Sequence, residues 1–97
     1  LLQSEPVDIV AVCSPAESHL AQLELAVKAG CHVFSEKPLW WSDQLTRCEN
    51  PVREVREPTQ RLLELFLRQR RYLALNTQWP FTLEAFRQLH PQAGVGD

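Results

Sequence analysis

Methionine is absent from the 97 residues. A chain with no initiator residue reads as a fragment, a processed chain or an incomplete gene product. Its opening, Leu1-Leu2-Gln3-Ser4-Glu5-Pro6, reads as the end of a preceding element. Glycine is scarce as well. Gly30, Gly94 and Gly96 are too few and too far apart to form a G-x-G-x-x-G phosphate loop. No apolar run approaches the roughly 20 residues of a membrane-spanning helix, and no signal peptide is visible. Neither sign of charge dominates, with 10 basic and 12 acidic residues giving a net charge of −2. The basic residues are scattered, which excludes a nucleic-acid footprint and a polybasic membrane anchor. The cysteines, Cys13, Cys31 and Cys48, are odd in number and lack metal-ligand spacing. Two of them, Cys13 and Cys31, sit in apolar runs that read as buried strands, and free thiols in a reducing cytoplasm are the simplest assignment. No metal site and no nucleophile paired with a base is visible.

What is present is a strand and helix alternation. Residues 7–13 form a nearly continuous apolar run rich in β-branched residues, the signature of a strand buried on both faces. Ser14-Pro15-Ala16-Glu17 then opens a helix, with Ser14 as cap, Pro15 at the first helical position and Glu17 closing a capping box. Leu20, Leu23, Ala26 and Val27 make its apolar stripe, and Gly30 stops it. Residues 31–35 read as a second strand, followed by Glu36-Lys37-Pro38. Residues 40–58, polar and interrupted by Pro51 and Pro58, read as a surface excursion with a helical turn or two. Residues 59–71 read as a helix with Leu62, Leu63, Phe66 and Leu67 on its buried side, and 72–77 as a third strand. A short helix over 82–89 follows, capped by Thr82, stapled by Phe81 against Phe86 and stopped by Pro91. Helical connections too long for hairpins imply an α/β fold: a parallel sheet of about three strands with crossover helices.

In open sheets of this kind ligands bind beyond the carboxyl ends of the strands. Those ends carry Ser14-Pro15, Glu36-Lys37-Pro38 and Asn76-Thr77-Gln78-Trp79, with His19 in the first helical turn above the first of them. Lys37 is the sharpest candidate, being one of two lysines, held by a following proline and able to donate to a substrate oxygen. Its alternative is a solvated loop lysine paired with Glu36. His19 reads either as a site residue or as a histidine on the apolar side of its helix, four residues before Leu23. Asn76 reads either as a crevice hydrogen-bonding group or as a strand cap. Trp40-Trp41 covers a neighbouring domain or packs over the sheet, and His32 and His90 are given no role.

The buried strand ending in Ser14-Pro15, His19 four residues on, the Ala-Gly helix end at Ala29-Gly30 and the strand ending in Glu36-Lys37-Pro38 together resemble the Gfo/Idh/MocA oxidoreductase pattern. Leu73-Ala74-Leu75-Asn76 is similar to the next strand of that family, although Gln78 stands where the family carries arginine. Gly94-Val95-Gly96 resembles the turn into the family's second domain. The resemblance implies a partial Rossmann-like sheet, with residues 1–91 as the later half of a dinucleotide-binding domain and 92–97 as the start of a connection to a second one. It implies NAD or NADP as cofactor, hydride transfer to or from a sugar- or polyol-like small-molecule substrate, and no nucleic-acid or membrane partner. Ser14, Pro15, His19, Glu36, Lys37 and Asn76 would then line the cofactor cleft, and Lys37 would be catalytic. The glycine-rich loop, the ribose-binding acid and the second domain of that family have no counterpart in these residues, so the isolated chain is expected to be inactive. Two alternatives stand beside the enzyme: a non-catalytic dinucleotide-binding paralogue, and a truncated remnant acting only through a partner. Substrate identity, NAD versus NADP and oligomeric state, a homo-oligomer included, stay open.

Overall fold

A computed structural model describes residues 6–78 and 82–92. Leu1–Glu5, with the preceding-element reading, Trp79 and Phe81, and the Gly94-Val95-Gly96 turn lie outside the described residues. Three strands, β1 (Ile9–Val12), β2 (His32–Glu36) and β3 (Leu73–Asn76), form one sheet in the order β1-β2-β3, all parallel. Between them run α1 (His19–Lys28) and α2 (Pro51–Gln69), and α3 (Leu83–Leu89) follows β3. The alternation expected from the sequence is the alternation of the fold.

Side chains of a strand alternate between faces, so register decides what is buried. Val10, Val33 and Leu73 stand side by side on one face, with Val12, Ser35 and Leu75 as the next row. That face packs against Leu23, Ala26 and Val27 of α1 and Leu62 and Phe66 of α2 to form the core. The opposite face carries Ile9, Ala11, Phe34 and Ala74, and it is open, with Ile9 66% exposed. The expectation that the first strand is buried on both faces is therefore corrected. Both α1 and α2 contribute to the same core, so only one face of the sheet is covered among the described residues. Cys13, expected in a buried strand, is exposed just beyond β1, whereas Cys31 is buried and its thiol donates to the Val7 carbonyl (3.2 Å).

The two long helices close in the same way. Gly30, at φ 82°, ends α1 as expected; its N–H donates to the Val27 carbonyl and that of Cys31 to the Ala26 carbonyl, both at 3.0 Å. At the end of α2 the left-handed position falls on Arg70 (φ 53°), where a side chain costs about 1–2 kcal/mol. The next residue offsets part of this, because the Arg71 guanidinium donates to the Gly30 carbonyl and joins the two helix ends.

Two local expectations fail. Ser14 does not cap α1. Its hydroxyl donates to the Gln22 side chain and accepts from Ser18 (3.0 Å), because a 3-10 turn over Ala16–Ser18 intervenes and the helix begins at His19. The excursion over 40–58 is mostly helix. A 3-10 turn spans Asp43–Thr46, and α2 starts at Pro51, with the Asn50 side chain accepting from the Arg53 N–H (3.1 Å) and Pro51 in the first turn. Pro58 lies inside the helix, where it cannot donate to the carbonyl one turn back. The indole of Trp40 holds the helix beside it, donating to Thr59 Oγ1 (2.8 Å).

Leu62 is fully enclosed in the core with Phe66, whereas Leu63 and Leu67, expected on the same buried side, are 44% and 78% exposed. We expect Leu62→Ala to lower the unfolding free energy by about 2–5 kcal/mol. Leu67→Ala should change it by no more than about 0.5 kcal/mol. Urea denaturation of both variants checks the contrast; equal losses would contradict the described packing.

Candidate functional site at the strand ends

Parallel pairing brings the carboxyl ends of all three strands to one edge. The pairing of Glu36 with Asn76 continues the β2–β3 register to its last rung. There the Asn76 amide nitrogen donates to Glu36 Oε2 at 2.9 Å. This hydrogen bond, then one from the Lys37 backbone N–H, hold the Glu36 carboxyl below its ordinary range, with smaller help from the Lys37 and His19 charges. Partial desolvation opposes the shift without reversing it.

Lys37 follows immediately and is exposed. The sequence allowed an ion pair between Lys37 and Glu36. Instead Glu36 is engaged by Asn76, and the Lys37 ammonium makes no hydrogen bond or ion pair among the described residues. Asn76 thus serves as a partner for Glu36 rather than as a strand cap.

His19 is buried, at 1% exposure, and both ring nitrogens are used. Nε2 lies 2.8 Å from the Ser14 carbonyl and Nδ1 2.8 Å from the Pro38 carbonyl. The histidine sits at the first residue of α1, so one ring spans the segments that follow β1 and β2. Ser14 is half-buried and Pro15 exposed at the mouth of the same edge. Ser14, Pro15, Glu36, Lys37 and Asn76 therefore gather at one edge, and His19 lies beneath them.

The residues overlooked in the sequence are those whose partners are distant. His32 has a defined place, with Nδ1 accepting from the Tyr72 N–H (2.9 Å) and the two rings stacked at 5.4 Å. It fixes where β3 begins, at the end of the sheet away from the candidate site. Trp40 is half-buried and Trp41 is 39% exposed, so the pair packs along α1 and α2 rather than over the sheet. Among the described residues no group of three or more His, Cys, Asp or Glu side chains is arranged to hold a metal ion. None of the described helices is long and apolar enough to cross a membrane.

Removal of the Asn76 amide should raise the Glu36 pKa toward the ordinary carboxylate range. The sign for stability follows: a carboxyl with a depressed folded-state pKa contributes above its unfolded value and loses that contribution as pH falls through the folded one. An NMR titration of the Glu36 carboxyl carbon in Asn76→Ala should move to higher pH; an unmoved curve would show that Asn76 does not hold the carboxylate.

Comparison with known proteins agrees with this geometry. Residues 1–67 match the model of the Gfo/Idh/MocA family, described as an oxidoreductase family with an NAD-binding Rossmann fold. A D-glucoside 3-dehydrogenase of Escherichia coli (strain K12) is 50% identical over 38 residues, which cover 39% of this chain and 10% of that protein. The WlbA (WbpB) dehydrogenase from Thermus thermophilus, solved in complex with NAD and UDP-GlcNAcA, superposes with a TM-score of 0.60 at 26% identity. The match covers 96% of this chain and 27% of that one. The same dehydrogenase solved with NAD and α-ketoglutarate gives a TM-score of 0.59. The chain thus spans about a quarter or less of the relatives it matches. With the family model matching most of its length and the strand-end geometry in agreement, the chain belongs to the Gfo/Idh/MocA oxidoreductase family, within its NAD-binding Rossmann fold.

Proposed function

We propose that residues 1–91 are the later, nicotinamide-side half of a dinucleotide-binding domain, and that 92–97 begin the connection to a second domain. The parent protein is then an NAD- or NADP-dependent oxidoreductase acting on a sugar- or polyol-like substrate. The observation that carries this reading is the gathering of Ser14-Pro15, Glu36-Lys37 and Asn76 at one strand edge, with the Lys37 ammonium exposed and without a hydrogen-bond partner among the described residues. The sugar class is supported by the D-glucoside 3-dehydrogenase and by the UDP-GlcNAcA held by the Thermus dehydrogenase. Three unpaired cysteines support a cytoplasmic setting.

The residues present fit the nicotinamide side of such a cofactor and not its pyrophosphate side, since no glycine-rich loop occurs in the sequence. The bound dinucleotide supplies the hydride acceptor or donor. Ser14, Pro15, Glu36 and Asn76 would line its cleft. In the reductive direction the Lys37 ammonium donates to the substrate oxygen at the reacting carbon and gives it a proton as hydride arrives; in the oxidative direction Lys37 acts as the neutral amine and takes the hydroxyl proton as hydride leaves. Glu36, fixed as a carboxylate by Asn76, keeps a negative charge beside that ammonium. A non-catalytic dinucleotide-binding paralogue is the second reading, and Gln78 in place of the family's arginine favours it.

In the full-length protein, supplied with NAD and an alkyl D-glucoside, Lys37→Ala should lower kcat by about 10²–10⁴-fold while changing NAD affinity far less. Wild-type turnover in that variant would remove Lys37 from the mechanism, and no turnover in the unsubstituted protein, with NAD still bound, would favour the paralogue. The 97-residue chain alone should bind NAD more weakly than micromolar, because the helix terminus that normally cradles the pyrophosphate is not among its described elements. Micromolar binding by calorimetry would overturn this half-site reading.

A further inference from the structure

Among the described residues, only His19 and Ser35 are buried polar side chains. Burying an imidazole where an apolar side chain of similar size would fit is unfavourable unless its nitrogens are partnered. Both face an acceptor, and the acceptors are informative. Each is a backbone carbonyl at hydrogen-bond distance, Ser14 on one side and Pro38 on the other. A carbonyl oxygen only accepts, so the ring is the donor in either contact: a neutral imidazole donates to one of the two carbonyls, an imidazolium to both. Ser14 opens the segment after β1. Pro38 directly follows Lys37. Neither carbonyl belongs to a helix or strand that would hold it otherwise.

We propose that His19 is a positioning residue that fixes Lys37 relative to Ser14-Pro15 by tying together the two segments that carry them, without itself touching ligand. The inference rests on the reading of Lys37 as the substrate-facing group. The segments are joined at a second point, where the Trp41 N–H donates to the Ala16 carbonyl (3.2 Å). Loss of the imidazole therefore loosens the Lys37 side of the edge while the other tether remains. The two ring nitrogens also make the role directional. An asparagine side chain places its amide near the position of Nδ1, facing Pro38. A glutamine places its amide near that of Nε2, facing Ser14.

The test is a set of three substitutions in the full-length protein, assayed with NAD and an alkyl D-glucoside. His19→Phe fills the space without a donor. It should lower kcat about 10- to 100-fold, as expected for a misplaced catalytic group, with little change in KM for NAD. His19→Asn should recover most of that loss and His19→Gln should not. Hydrogen–deuterium exchange of the peptide spanning 36–41 should quicken in His19→Phe and return toward wild type in His19→Asn. Wild-type kcat and exchange in His19→Phe would overturn the proposal, as would equal recovery by Asn and Gln. If Lys37→Ala leaves turnover intact, the functional reading fails by itself, and the exchange data alone then decide whether His19 positions the segment.

Discussion

Parallel pairing is the constraint on which everything else depends. Three strands running the same way must be joined by crossovers, and crossovers of this length are helices. All three strands therefore end at the same edge, and whatever follows each strand is brought to that edge regardless of its separation in sequence. Ser14, Glu36 and Asn76 are neighbours for this reason alone. Antiparallel pairing of any two strands would have sent one of the three groups to the far end.

The same constraint explains the uneven covering of the sheet. A parallel sheet is ordinarily covered on both faces. Here α1 and α2 supply one cover, and the long α2 does so with Leu62 and Phe66 in its second half. Its first half, from Pro51, reaches the 40–50 segment, where Trp40 meets Thr59. The face carrying Ile9, Ala11, Phe34 and Ala74 has the apolar character of an interior surface, and its composition is that of a strand set built for two covers.

Much of this was legible in the sequence, and the failures have physical causes. The first strand announced itself by a run of β-branched residues, and Gly30 marked a helix end because only a left-handed residue closes it so cheaply. The first half of α2 was hidden by Pro58 and by the charges at Arg53, Glu54, Arg56 and Glu57, which read as a loop. Asn50-Pro51 was the available signal, a capping residue followed by a proline suited to the first turn. Strand-end position placed Ser14, Glu36 and Asn76 at one edge but did not give their pairings. That Glu36 meets Asn76 rather than Lys37 depends on the register of β2 with β3, which no local pattern encodes. His19 was harder still. Every residue has a carbonyl, so nothing in a sequence distinguishes the two that a buried imidazole will meet.

The pairings divide the edge into groups that engage one another and a lysine that does not. Glu36 and Asn76 satisfy each other, Ser14 is engaged by Gln22 and Ser18, and His19 is consumed by two carbonyls. Each of these contacts is made within the chain itself. The Lys37 ammonium makes no hydrogen bond or ion pair among the described residues, and it stands on a segment whose neighbours on both sides are fixed: Glu36 by the sheet and by Asn76, Pro38 by His19. A flexible side chain mounted on a fixed backbone point is the arrangement expected of a group whose hydrogen-bond partner is supplied from outside the chain.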